Sequence, residues 1–198
     1  MIIAFTRTGC AASPARAMAR VPSSDEMLIR RIADGDQLAM RALFVRHQMP
    51  LYRWLLRIVR DEALAEDLLS EVFLDVWRQA ASFEARASVS TWMLAIARYK
   101  ALSARRRRTD AQLDDEIAAT IPDTADDPEV VLQKKDRGEL LRRSLASLSP
   151  EQGEVIDLVY YHGKSVKEVA EVVGVAEATV KTRMFYARKK LAELVVAA

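Results

Sequence analysis

The chain predicts an all-α fold, and three observations carry that expectation. Six glycines and six prolines in 198 residues, set among abundant Ala, Leu, Arg and Glu, favour helix. Apolar residues recur at spacings of three and four rather than two. Ser or Asp precedes several of these runs, and a Glu or Gln three residues on completes a helix-start signal in two of them. With 51% apolar and 29% charged residues the composition is that of a globular protein. The net charge of +2 carries little information, because acids and bases are segregated along the chain.

Residues 1–24 are read as a disordered tail, or as sequence ahead of a later start at Met18 or Met27. They carry Arg7, Arg16 and Arg20 and no acid, and the apolar run Ile2 to Phe5 is too short for a secretory signal. Helical signals begin at Asp25, with Met27, Leu28, Ile29 and Ile32 in a short amphipathic helix that ends near Gly35. Asp36 caps a segment holding Leu38, Leu43, Phe44 and Val45. Pro50 lacks a backbone N–H, so a kink or restart is expected there before Tyr52, Trp54, Leu55, Leu56 and Ile58 continue the pattern. Asp61 caps the next helix, through Ala80. Leu64, Leu68, Val72 and Val76 are its buried positions, and Asp67, Glu71, Asp75 and Trp77 lie on other faces. That acid row reads equally as a solvated face or as a partner surface.

Residues 82–90 break the period. Ser90 or Thr91 then caps a helix to about Arg108, with Trp92, Ala95, Ile96, Tyr99 and Leu102 as its apolar side. No acid falls between Thr91 and Thr109. Arg98, Lys100 and the run Arg105 to Arg108 exceed what a helix C-terminus needs for its dipole, which points to nucleic-acid backbone. From Thr109 to Val130 the composition inverts to eight acids, no base and two prolines, the signature of an extended linker.

Beyond the linker, Leu140, Leu141, Leu145 and Leu148 mark an amphipathic stretch from Asp136. Ser149, Pro150 and Gln152 form an N-cap, an N1 proline and a capping-box partner for a helix with Val155, Ile156, Leu158 and Val159. His162, ahead of Gly163, sits at that helix's end, where the dipole favours it. Ser165 and Glu168 form a second capping box. Val166, Val169, Ala170 and Val173 make one stripe, Gly174 supplies the turn, and a last helix runs from Glu177 to Val195. Val180, Met184, Ala187, Leu191 and Leu194 are its buried face. Thr182, Phe185, Tyr186 and Lys189 point away from it, while Thr179, Lys181, Arg183, Arg188 and Lys190 lie near its start or on its flanks. Thr179 to Lys190 holds five bases and no acid. Hydroxyls and aromatics for base edges, with cations for phosphates, suit a helix in a major groove. The plain alternative is a helical hairpin with a basic surface.

Catalytic and metal chemistry find no support in the chain. Cys10 is the only cysteine, His47 and His162 the only histidines, and neither a phosphate loop nor an HExxH pattern occurs. No apolar run approaches a membrane span.

The ordered set of Asp67-Leu-Leu-Ser-Glu-Val-Phe-Leu-Asp-Val-Trp77, a basic helix opening at Ser90-Thr91-Trp92, an acidic linker, Leu148-Ser-Pro150 and the helix-turn-helix resembles the extracytoplasmic-function group of bacterial sigma-70 factors. The resemblance spans Asp25 to Leu194. It implies a tail at 1–24, sigma region 2 at 25–108, a flexible linker at 109–135 and sigma region 4 at 136–196. It implies a cytoplasmic, nucleoid-associated promoter-selectivity factor for a stress regulon, with no catalysis and no cofactor of its own. Its partners are then core RNA polymerase (the β′ clamp helices and the β flap), promoter DNA and an anti-sigma protein. By matching positions, Asp67, Glu71 and Trp77 meet the clamp helices. Ser82, Arg86, Ser88, Trp92, Arg98, Lys100, Arg105 and Arg106 serve the minus-10 element and melting. Thr179, Lys181, Thr182, Arg183, Phe185, Tyr186, Arg188 and Lys189 read the minus-35 element. Many relatives carry asparagine in place of Tyr99, a departure that bears on base preference near the melt. The competing functional reading is a stand-alone helix-turn-helix regulator that dimerises on a palindrome.

Overall fold

The computed structural model describes residues 23–112 and 144–196, with side chains described except at 109–112 and 195–196. Among the described residues every element is helical. The first block comprises α1 (Ser24–Ala33), α2 (Gln37–Val59), α3 (Glu62–Gln79), a 3-10 turn (Ala80–Ser82) and α4 (Val89–Gln112). The second comprises α5 (Pro150–Tyr160), α6 (Val166–Val173) and α7 (Glu177–Val196), preceded by a helical turn at 144–146.

Local signals place most boundaries. Asp36 accepts from the amides of Leu38 and Ala39, and Asp61 from that of Leu64, so each satisfies donors that a helix N-terminus leaves unpaired. Both capping boxes form: Ser149 with Gln152, and Ser165 with Glu168. Gly174 closes α6 at φ +74°, a left-handed conformation that an L side chain strains to adopt.

Three expectations are corrected. The helix carrying Pro50 neither breaks nor restarts: α2 runs through it, with Leu43, Leu51, Trp54 and Leu55 buried on both sides. Packing on both flanks outweighs the one backbone bond that proline removes. Ser88, rather than Ser90 or Thr91, caps α4. Its hydroxyl accepts from the Thr91 amide at 3.3 Å and its carbonyl from the Trp92 amide at 3.0 Å, and the helix continues past Arg108 to Gln112. The deep face of α4 is also not the bulky one. Tyr99 is 73% exposed and Leu102 is exposed, whereas Val89, Met93, Leu94, Ala97, Ala101 and Ala104 are buried. Ala97, Ala101 and Ala104 are buried on α4, which packs on α2, α3 and α6, so small residues occupy its deep side. The expected helix from Asp136 and the linker beyond Gln112 fall largely outside the described residues.

The core of the first block is built on α2, which packs on α1, α3 and α4, with Leu43, Trp54, Leu55, Val72, Val76 and Met93 fully enclosed. Each such side chain contributes about 1.5–3 kcal/mol relative to exposure. In the second block α5 and α6 both pack on α7, and Leu148, Ile156 and Ala187 form a small cluster of their own. The blocks are also joined. α4 packs on α6, and Val155, Leu158, Val169, Val172 and Val173 belong to the same continuous core as the buried residues of α1 to α4.

The burial of Ala101 gives a direct test. Ala101→Leu forces extra methylenes into a filled contact and should lower unfolding free energy by about 1–3 kcal/mol, measured by urea denaturation. An unchanged midpoint would show that the packing around Ala101 is looser than described.

Candidate nucleic-acid interface

The second basic helix, α7, divides by burial as its periodicity predicts. Val180, Met184 and Ala187 are buried, while Thr179, Lys181, Thr182, Phe185, Tyr186, Arg188 and Lys189 are exposed and Arg183 is half-buried. The Thr182 hydroxyl donates to the Ala178 carbonyl at 2.9 Å, which fixes its rotamer on the outer face. Phe185 and Tyr186 stand edge to face at 5.5 Å, and Arg188 lies over Tyr160 and donates to its hydroxyl at 3.1 Å. This surface of cations, hydroxyls and aromatic edges has the dimensions of one helix and is open along its length.

The residues assigned to melting are less uniformly available. In the segment 82–88, Ser82 donates to the Gln79 carbonyl at 2.8 Å, Arg86 is exposed and pairs with Glu84, and Ala85 takes a left-handed φ of 53°. A non-glycine residue in that region stores strain, as loops at functional positions often do. Trp92 packs at a tilt against Phe83, ring centroids 5.0 Å apart, and is half-buried. Arg105 and Arg106 are exposed. Arg108 is tied to Asp61 at 2.7 Å. That contact, added to the Leu64 amide bond, holds the Asp61 carboxyl below its ordinary range.

Lys100 lies between carboxylates of α3, 2.8 Å from Asp75 and 3.0 Å from Glu71. Burial pulls its pKa down, but the two carboxylates outweigh that and the ammonium is held more firmly than usual. Glu71, assigned to the clamp surface, and Lys100, assigned to DNA, are therefore partners of each other. Asp67 is exposed, and Trp77 on the same helix is 37% exposed.

Ser88 and Arg98 face the second block. Arg98 makes a two-pronged pair with Glu154 of α5, at 2.6 and 3.2 Å. Glu168 of α6 accepts from the hydroxyls of Thr91 at 2.8 Å and Ser88 at 3.1 Å. Lys164 donates to Ser90 at 2.5 Å and to Ser88 at 3.3 Å. Burial pushes the Lys164 ammonium pKa down. Burial also pushes the Glu168 carboxyl up, but the Ser165 amide, the Thr91 and Ser165 hydroxyls and the Lys164 charge reverse that and bring it to about 2. Arg57 of α2 completes the set, 2.6 Å from the buried Asp157 and 4.3 Å above the Tyr161 ring. His162 lies near Asp157 and edge-on to Trp54, so its surroundings are those of the contact between blocks as well as of a helix end. Across the blocks the partners in these contacts stand 56 or more residues apart, and neither periodicity nor motif spacing pairs them. Among the described residues no group of His, Cys, Asp and Glu is arranged to hold a metal, and no helix is long and apolar enough to cross a membrane.

Sequence and fold comparisons agree with this geometry. Residues 43–110 match the sigma-70 region 2 family and residues 138–191 the sigma-70 region 4 family. The chain is 30% identical over 177 residues to the ECF RNA polymerase sigma factor SigK of Mycobacterium bovis (strain BCG / Pasteur 1173P2), covering 87% of this chain and 94% of that protein. It is 31% identical over 166 residues to SigK of Mycobacterium sp. (strain KMS), covering 80% and 84%. Among solved structures, the sigma factor RpoE in complex with the anti-sigma factor NepR from Bartonella quintana superposes with a TM-score of 0.63 at 25% identity, over 78% of this chain and 95% of that one. CnrH in complex with the cytosolic domain of CnrY shares the fold, with a TM-score of 0.63 at 24% identity over 88% and 99%.

The Glu168 carboxyl yields a pH prediction. Its folded pKa lies below the ordinary 4.5, so the stability it contributes is present above about 4.5 and is lost as pH falls toward 2. Glu168→Gln should cost about 1.5–3 kcal/mol at pH 7, the scale of a charged hydrogen bond, and in urea titrations the deficit should shrink steadily below pH 4.5 and disappear only as pH falls through about 2. A deficit that stays constant with pH would assign the cost to packing instead of charge. The fold, the two matched regions and relatives aligned over nearly their full length together establish that the chain belongs to the extracytoplasmic-function group of sigma-70 RNA polymerase sigma factors.

Proposed function

We propose that this sigma factor reads the minus-35 element with α7 and engages the minus-10 element and the melting strand with residues 82–90 and α4. The observation that carries this reading is the outer face of α7: residues Thr179 to Lys190 hold five bases and no acid, and the face is solvent-exposed along its length. In the division of labour proposed here, Thr182 and Phe185 meet base edges, whereas Lys181, Arg183, Arg188 and Lys189 meet phosphates, with Thr179 and Tyr186 at the margins. Ser82, Arg86, Ser88, Trp92, Arg98, Lys100, Arg105 and Arg106 serve the opened strand. Trp92 paired with Phe83 supplies a stacking platform, and the arginines follow the backbone.

Core polymerase is met through Asp67, Glu71 and Trp77 on the β′ clamp helices, with the β flap meeting the second block. The boundaries at 24, 108 and 135 separate a tail, a polymerase- and minus-10-binding domain, a linker and a minus-35-binding domain. Tethering both readers to one polymerase raises the effective concentration of the second contact, so neither needs high affinity alone. Extruding a base costs a few kcal/mol, which the polymerase and upstream contacts offset. The chain contributes selection and strand separation, and bond-making belongs to the polymerase. An anti-sigma protein, as in the similar RpoE–NepR complex, holds the factor back until a stress signal releases its regulon.

Run-off transcription by core polymerase plus this chain on a randomised promoter pool tests the reading, and transcripts from a defined pair of elements are expected. Within that assay Thr182→Val should shift minus-35 preference, at about 1–3 kcal/mol for the lost base contact. Arg183→Gln should instead weaken all sequences alike and lower the salt slope by about one. Swapped phenotypes would reverse the assignment of the helix faces. Asp67→Lys should weaken pull-down of core polymerase with the fold intact by circular dichroism; undiminished capture would remove the α3 face from the account.

A further inference from the structure

Two adjacent tyrosines at the end of α5 each carry an arginine, and the arginines come from different helices. Tyr161 lies under Arg57 of α2, 4.3 Å from guanidinium to ring, at the contact between blocks. Tyr160, the last residue of α5, meets Arg188 of α7 instead. The Arg188 guanidinium stands 5.8 Å from the Tyr160 ring centroid, and its Nε donates to the Tyr160 hydroxyl at 3.1 Å. Tyr160 is 61% exposed, so burial in the core does not account for it.

We propose that Tyr160 and Arg188 together form a phosphate-binding pair on duplex DNA, so that the DNA face of the second block extends from α7 onto α5. The inference rests on the assignment of α7 to the minus-35 duplex, and it adds to that face a residue outside the recognition helix. Its chemistry follows from a count of donors. The bond to Tyr160 uses only Nε of the guanidinium, and among the described residues the two Nη nitrogens have no other partner. The tyrosine hydroxyl accepts that bond and keeps its own proton to donate. The Nη N–H groups and the tyrosine O–H therefore stand side by side. A DNA phosphate offers anionic oxygens that accept from both. Accepting from a cation also polarises the hydroxyl and strengthens it as a donor. The ring has a second effect. An arginine on an open helix surface loses rotamer freedom when it is ordered on a ligand. Arg188 is already ordered, by one hydrogen bond and by the ring face beside its charge. Backbone contacts carry no base preference, so the pair contributes affinity and register.

Tyr160→Phe keeps the ring and removes only the hydroxyl. Holoenzyme made from core polymerase and the full chain is titrated with promoter duplex recovered from the randomised pool, for the parent chain, Tyr160→Phe, Arg188→Gln and the double variant. Tyr160→Phe should weaken binding about three- to tenfold on every sequence alike, the scale of one hydrogen bond. Arg188→Gln should weaken it more and lower the salt slope by about one. In the Arg188→Gln background, Tyr160→Phe should cost less than about twofold, because the pair acts as a unit. An equal loss in both backgrounds, or no loss in the parent chain, overturns the pair. So does a change of sequence preference with Tyr160→Phe, since every base pair presents the same phosphates. Arg183→Gln separates this failure from that of the underlying assignment. If Arg183→Gln weakens binding and Tyr160→Phe does not, only the pair falls. If both leave binding unchanged, α7 is off the duplex and the pair falls with it.

Discussion

Everything in this structure turns on α4, which has to satisfy three surfaces at once. Its alanines at 97, 101 and 104 are buried where it packs among its neighbouring helices, where extra methylenes would overfill the core. Its first turn carries Ser88, Ser90 and Thr91, which meet the second block. Its far end carries Arg105 and Arg106 outward and ties Arg108 to the start of α3. One helix holds all three, so the contact with the second block and the surface proposed for DNA lie on the same element. Lys100, held by Glu71 and Asp75, adds a second link, between the DNA side of α4 and the acid row of α3.

The two helices proposed to read DNA differ in how they are protected. On α7 the outer residues are exposed, with Arg188 engaged only by Tyr160 and Arg183 half-buried, so the surface proposed for the groove is open as it stands. At the start of α4, Thr91 and Arg98 are already satisfied by protein partners, so in the proposed reading DNA competes with Glu154 for Arg98. Carboxylates in those places act as stand-ins for phosphate: both offer anionic oxygens to the same guanidinium and hydroxyl donors. Family membership makes the chain a promoter-selectivity factor, and this asymmetry suggests the order in which its surfaces come into use.

What the sequence revealed and what it hid follow one physical division. Caps are local, so Asp36, Asp61, Ser149 with Gln152 and Ser165 with Glu168 were legible from residues three apart, and so was the buried side of α7. The face of α4 was misread because the helix carries two apolar sides, and bulk at Tyr99 and Leu102 outweighed the alanines when only hydrophobicity was considered. Close packing ranks them the other way. Pro50 was read by its missing donor, and the burial of Leu43, Leu51, Trp54 and Leu55 around it could not be counted beforehand. The contacts between the blocks were illegible in principle. Ser88 and Arg98, in or beside a basic stretch, read as DNA ligands, Thr91 reads only as a helix cap, and their carboxylate partners lie beyond a linker.

The claim at the centre of the account is that α4 serves the opened strand, for which the second block has to leave Arg98. Electron–electron resonance distances between spin labels at Gln79, after α3, and Lys189, on the outer side of α7, measure that separation directly. The account predicts one short, narrow distribution for the free factor, replaced by a longer one when core polymerase and promoter DNA are added. The same short distribution in a complex that is transcribing would contradict it.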